Sequence, residues 1–368
     1  MTKIWVAIFA VIFSWTAIAA AESLPAPSLP DDYPSNYGGM VAAATAEQKI
    51  VVYATTERLA ANPLIADFEA RFPGIKVDYR MLLSGDIYDR VVAETPSGKT
   101  ADVVWSSAMD LQMKLQNDGY AANYPSPEAD DLPPWAVWHN EAYGVTFEPI
   151  VFAYNKNLVP PSDVPQTHAD LIRLLDTEAE KYKGRLSTYD PERSNVGFLF
   201  ITQDALKSER IWDLVIAAGQ SGVRLYAHSE LMLDRIVAGD SFIGFNVIGS
   251  YALSRIKDDP QLGIVFPSDY TQVMSRIAFI PKAAVHPNAA RVFLDYLLSQ
   301  SGQSVMANQS GLFPIRDDVE GEATLRGLTA RLGLALAPIR VGPGLMVYLD
   351  QAKQRSFLKK WRQSLDGR

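Results

Sequence analysis

Cysteine is absent from the 368-residue chain. That excludes disulfide frameworks, cysteine nucleophiles, iron–sulfur centres and cysteine-type zinc fingers. Histidine is scarce, and His139, His168, His228 and His286 are scattered. No histidine metal motif is present. Positive charge is the minority sign: Lys plus Arg number 34 against 42 Asp plus Glu, a formal net charge of −8. An acidic chain without a basic run argues against nucleic acid, because neutralising phosphates needs clustered Lys and Arg. No apolar run reaches the ~20 residues of a spanning helix. What is there is globular in composition, with 48% hydrophobic and 21% charged residues. The length predicts two domains, with one large domain as the alternative.

The chain opens Met1-Thr2-Lys3, followed by an apolar run from Ile4 to Ile18 and the small residues Ala19-Ala20-Ala21. A positive start, a short apolar core and an A-x-A site mark a secretory signal peptide, here 1–21. Cleavage is expected after Ala19 or Ala21. Losing Lys3 makes the mature chain one charge more acidic. No cysteine follows for lipid attachment. The expected product is a soluble protein of a Gram-negative periplasm, where disulfides are permitted but not required.

Residues 22–47 are rich in Pro, Ser, Ala, Gly and Tyr without periodicity, and read as an N-terminal arm. Runs of β-formers then alternate with helical spacings. Lys49–Ala54 reads as a buried strand. Leu64, Ile65, Phe68 and Phe72 form a helical face stopped by Pro73-Gly74. Strands at Ile75–Met81 and Ala101–Trp105 each precede a helix, opened by Ser84-Gly85-Asp86 and by Ser106-Ser107. This order predicts a parallel sheet covered on both faces, in a first lobe at 48–147. Tyr143–Tyr154 is a longer β-like stretch with Pro149 inside it. That suits a strand crossing between lobes, with a hinge near 144–154. A second series fills a lobe at 148–275. Its strands are Arg185–Thr188, Gly222–Tyr226, Ser241–Phe245 and Gly263–Pro267, with helices from Ser194, Ser229 and about Ser250. The last part, 276–368, holds a return hinge strand at 273–281 and C-terminal helices packing back on the lobes.

Catalytic motifs are missing. Ala93-Glu94-Thr95-Pro96-Ser97-Gly98-Lys99-Thr100 nearly spells a P-loop, but the first glycine is Ala93 and the segment follows a helix instead of a strand. It reads as a solvated turn. There is no G-x-S-x-G elbow, H-E-x-x-H pair or EF-hand loop. An enzyme is therefore not expected, and no cofactor is.

What recurs is a junction type. Strand-to-helix turns carry small hydroxyl or amide residues: Thr55-Thr56-Glu57, Ser84-Gly85, Ser106-Ser107, Ser194-Asn195, and Asn246 to Ser250. Each alone is an ordinary N-cap. In open parallel sheets, however, ligands bind at the carboxyl ends of strands, where free N–H groups of helix starts attract anions. Two lobes aiming such ends at one cleft make a site for a small anion or zwitterion.

With these residues in view, the chain resembles bacterial extracellular solute-binding proteins of ABC importers. It is most similar to the ferric-iron-type subfamily, which includes binders of phosphorylated sugars and aminophosphonates. The resemblance rests on Val51–Glu57, Phe68–Val77, Ala101–Ser107, Phe152–Lys156 and Ile280–Ala290, and covers about 45–350. It implies a type II periplasmic binding fold: two α/β lobes with parallel or mixed sheets flanked by helices. Two hinge strands would join the lobes, and the ligand cleft would lie between them. It also implies hinge closure and docking on a membrane permease with its ATPase.

One departure bears on the ligand. The iron binders of that subfamily carry an adjacent Tyr-Tyr pair just after the strand equivalent to Phe242–Phe245. Here the region reads Phe245-Asn246-Val247-Ile248-Gly249-Ser250-Tyr251, with one tyrosine. The leading expectation is therefore an organic ligand: a sugar phosphate, phosphonate or carboxylate. Asn246, Gly249 and Ser250 offer an amide, close backbone approach and a hydroxyl. Glu57 and Asp190 suit an ammonium or hydroxyls, and Arg193 an anionic group. Tyr189 and Trp105 offer stacking faces, and Tyr270 near the hinge is a further candidate. Two alternatives stand beside it. One is ferric iron with a synergistic anion, held by Glu57 and Tyr251. The other is a ligand-presenting subunit for a membrane histidine kinase. A monomer is expected in each case.

Overall fold

The protein is described by a computed structural model that covers residues 33–321 and 323–367. The leader expected at 1–21 and most of the arm lie outside the described residues. Tyr37–Glu47, the end of the arm, is a helix. Its Gly38-Gly39 and alanine run give no amphipathic signal. Only Tyr37, Val41 and Ala44 are buried, against the distant helix Pro287–Leu298. Tyr37 also donates to Asp295 at 2.7 Å.

The strands in chain order are β1 (Lys49–Ala54), β2 (Lys76–Met81), β3 (Val103–Ser106), β4 (Val137–Trp138), β5 (Ala142–Gly144), β6 (Glu148–Asn155), β7 (Leu186–Tyr189), β8 (Arg224–Tyr226), β9 (Ile243–Ile248), β10 (Leu262–Val265), β11 (Thr271–Met274), β12 (Ile277–Phe279) and β13 (Leu336–Pro338). They form two mixed sheets. The first runs β2-β1-β3-β12-β5-β4 and the second β13-β11-β6-β9-β7-β8, with β10 also on β6. In the first, β1 pairs parallel with β2 and β3, while β12 returns antiparallel to β3. In the second, β7 pairs parallel with β8 and β9, and β6 is antiparallel to β9. Helices flank both sheets.

Alternation of short apolar strands with amphipathic helices produces this architecture. Ile50, Val52 and Ala54 of β1 are fully buried, as are Val103 and Trp105 of β3. Leu64 and Phe68 of the helix Arg58–Arg71 cover that face. Phe68 meets Phe293 edge to face at 4.9 Å. Each such buried side chain contributes roughly 1.5–3 kcal/mol by leaving water.

The chain leaves the first sheet after Gly144 and joins the second at Glu148, then returns between Met274 and Ile277. A third passage adds to the two expected crossings. The helices Pro287–Leu298 and Gln300–Val305 pack on the first lobe. The chain then crosses to place β13 on β11, and the helix Gln351–Leu365 packs on Ile211–Gln220 in the second lobe. The near-P-loop is a turn: Thr95–Ser97 is one 3-10 turn, closed by Gly98 at φ 66°. Among the described residues, no helix is long and apolar enough to cross a membrane.

Candidate functional site

A cleft of about 420 Å³ lies between the lobes. Six helices begin at its walls: Arg58–Arg71, Ser84–Glu94 and Met109–Asn117 from the first lobe, and Asn195–Lys207, Ser229–Val237 and Gly249–Ile256 from the second. Their first turns present unsatisfied N–H groups toward the cleft side. The lobes come close at one point: a Cβ on Gly85 would sit 3.6 Å from Asn195 Nδ2 across the cleft.

Many of the expected junction residues line this cleft. Thr55, Glu57, Ser84, Gly85 and Ser107 do so from the first lobe, and Tyr189, Arg193, Ser194 and Asn195 from the second. Tyr251 joins them. The ends of β1 and β3 are tied together here. Ser107 N donates to Thr55 Oγ1 at 2.9 Å, and the two hydroxyls lie 3.1 Å apart. Ser194 caps its helix by accepting from Gly197 N at 3.2 Å. Tyr189 hydroxyl and Ser229 Oγ are 2.5 Å apart.

Other expected residues lie elsewhere. Trp105 is 1% exposed and belongs to the first lobe's core. Ser106 is buried, and its Oγ accepts from Ala108 N at 3.3 Å. Thr56 is buried behind the cleft wall, where its carbonyl accepts from Tyr79 hydroxyl and its Oγ1 from Arg276. Asp190 accepts from Glu192 N in its own loop. Strand β9 runs three residues past the expected Phe245 and takes up Asn246, whose amide donates to buried Asp204 at 2.7 Å. Tyr270 hydroxyl also donates to Asp204, and its ring stacks on His168 at 4.2 Å. Gly249 is used for close approach: a Cβ there would meet the Pro149 carbonyl oxygen at 2.7 Å. Ser250 donates to Glu148.

The sequence reading missed several lining residues. Ala227, His228, Ser229 and Glu230 form another strand-to-helix junction with polar side chains, after β8. It fits the recurring pattern and was legible on that ground. Leu82, Leu83, Asp86, Val196 and Ile248 complete the lining.

Behind Tyr251 lies a buried ion pair. Arg276 Nε donates to Glu148 Oε1 at 2.6 Å, with both side chains essentially inaccessible. Arg276 Nη2 donates to Tyr251 hydroxyl at 3.0 Å. That hydroxyl accepts from a cation, so its own hydrogen is free to point elsewhere. Burial raises the Tyr251 pKa, with Arg276 opposing. Burial also raises the pKa of Glu57, helped by the charge of Glu230 and opposed by Arg276 and His228. Among the described residues, no group of three His, Cys, Asp or Glu could hold a metal ion.

The chain was compared with known proteins. The model of a family described as bacterial extracellular solute-binding protein matches residues 63–326. A substrate-binding protein of an ABC transporter from Agrobacterium tumefaciens is 43% identical, with a TM-score of 0.82 over 86% of this chain and 94% of that one. The periplasmic binding protein AfuA of Actinobacillus pleuropneumoniae, solved with fructose-6-phosphate bound, is 20% identical, with a TM-score of 0.70 over 86% and 98%. Iron-bound HitA of Pseudomonas aeruginosa is 18% identical, with a TM-score of 0.68 over 86% and 99%. These last two share the fold. The phosphoglycerate transport regulatory protein PgtC of Salmonella typhimurium is 28% identical over 166 residues, which is 44% of this chain and 38% of that protein. The chain thus spans about two fifths of the length of the curated relatives it matches. With the family model matching well over half of its length, and with the fold and interlobe cleft it shows, the chain belongs to the bacterial extracellular solute-binding proteins.

Proposed function

We propose that the interlobe cleft captures a small organic anion or zwitterion, such as a sugar phosphate, phosphonate or carboxylate, by hinge closure. The protein would act in the periplasm, after removal of its leader, and hand the ligand to the permease of an ABC importer. The observation that carries this reading is the convergence of six helix starts and Arg193 on one cavity. Helix starts favour anions, and a guanidinium pairs with phosphate or carboxylate. The printed names of PgtC and AfuA, which refer to phosphoglycerate and fructose-6-phosphate, point the same way.

Iron is disfavoured by Tyr251. Ferric iron needs phenolate donors, whereas this hydroxyl accepts from Arg276 and has its pKa raised by burial. The word "regulatory" in the name of PgtC keeps a kinase-linked sensing role as the second reading.

The test is a thermal-shift panel of ferric citrate, sugar phosphates, phosphonates, and di- and tricarboxylates. A ligand at about 100 times its Kd stabilises by roughly 2.7 kcal/mol. A shift with an organic anion supports the proposal. A shift with iron alone overturns it.

A further inference from the structure

The cleft is more acidic than a plain anion site should be. Its lining carries Glu57, Asp86 and Glu230 against Arg193 and His228. The buried guanidinium nearby, Arg276, is already paired with Glu148. Among the described residues, no ion pair joins Glu57, Asp86, Glu230 or Arg193 to another side chain.

The charges are also sorted in space. Glu57 precedes the helix Arg58–Arg71 in the first lobe, and Glu230 lies in the first turn of Ser229–Val237 in the second. The two carboxylates therefore act on each other from opposite lobes, and Glu57 feels the charge of Glu230. Like charges held across a hinge oppose closure unless something positive enters between them. These acids also complement the dipoles of their own helices. The helix Asn195–Lys207 differs, because it has no acid in its first turn and Arg193 stands just before it. One end of the cleft is thus suited to a positive group and the other to a negative one.

We propose that the ligand is a zwitterion, with its ammonium seated between Glu57 and Glu230 and its phosphonate or carboxylate on Arg193 and the Ser194-Asn195 helix start. The inference rests on the proposed role of this cleft as an anion or zwitterion site. It narrows that role: an amine-free sugar phosphate would add negative charge and leave Glu57 and Glu230 mutually repelled.

The experiment is calorimetric titration of the purified protein with matched probes. These are 2-aminoethylphosphonate against ethylphosphonate, 3-aminopropanoate against propanoate, and fructose 6-phosphate. At least one amine-bearing probe is expected to bind, with its amine-free partner weaker by roughly 10- to 100-fold. Glu57→Gln and Glu230→Gln should each bring that ratio toward one. The wild-type ratio decides even if a variant fails to fold. Amine-free probes that bind as tightly as their partners would overturn the inference. Fructose 6-phosphate binding without either zwitterion would overturn it too, while leaving the anion-binding role intact. Binding of none of the probes would overturn both.

Discussion

Glu148 and Arg276 meet at 2.6 Å in the two segments that cross between the lobes, and neither touches solvent. Thr146 and Ser250 also donate to the Glu148 carboxylate. Arg276 reaches Thr56 in the first lobe and Tyr251 in the second. One ion pair thus joins both lobes at the floor of the cleft.

Breaking this pair should be costly, because it strands a buried charge. Glu148→Gln is expected to lower stability by about 3–5 kcal/mol, read from urea denaturation midpoints. Arg276→Lys should not restore the loss, since one ammonium cannot reproduce the fork to Glu148, Tyr251 and Thr56. Wild-type stability in Glu148→Gln would show that the pair carries little net energy.

Neighbouring serines should separate into two roles. Ser107 lines the cleft beside Thr55, whereas Ser106 is buried and holds Ala108 N. Ser107→Ala is expected to weaken ligand binding about fivefold, the worth of one hydrogen bond of ~1 kcal/mol. Ser106→Ala should leave affinity within twofold and lower the melting temperature instead. Titration and thermal denaturation of both variants check this, and equal affinity losses would contradict the placement.

The fold was legible because its signals are local. Lys49–Ala54, the helical face through Phe68 and the capped junctions each declare themselves within about ten residues. Pro149 in a β-like run correctly marked a crossing strand. The helix Tyr37–Glu47 was not legible, because glycines and alanines give no amphipathic pattern and its partner helix lies some 250 residues away in sequence. The third passage, through β13, was hidden for the same reason. In the cleft, small polar residues at strand ends were a good guide to position. They were a poor guide to orientation: β9 ran on to Ile248, which turned Asn246 away to Asp204. Glu148 and Arg276 were visible as one charge in each crossing segment, but only the fold shows that they meet.

Tyr270 offers a sharp check on the cleft's limits. Its hydroxyl donates to Asp204 at 3.0 Å, beside donors from Asn246 and Gln272. This network anchors the helix Asn195–Lys207 to β9 and β11. Tyr270→Phe should therefore cost about 1–3 kcal/mol of stability, because buried Asp204 loses a donor. Ligand affinity should stay within twofold. A large affinity loss with unchanged stability would return Tyr270 to the binding site.

Asp110 should make the protein lose stability on the alkaline side. It lies in the first turn of Met109–Asn117, fully buried. Burial pushes its pKa from the usual carboxylate range up to about 7, against the pull of the Leu111 N–H. Unfolded, it would titrate near 4. Between those values the folded chain binds the extra proton, so stability falls as pH rises, by up to about 1.4 kcal/mol per pH unit. The contribution is complete below about pH 4 and gone above about pH 7. Asp295, pushed up to about 6 by burial despite donors from Ser126, Tyr124 and Tyr37, adds the same sign over the lower part of that window. Asp110→Asn cannot ionise and should flatten the slope between pH 6 and 7.5 while leaving the Asp295 limb. Denaturation midpoints of wild type and Asp110→Asn at four pH values from 5 to 8 decide the matter. A slope unchanged by the substitution would mean that Asp110 does not govern it.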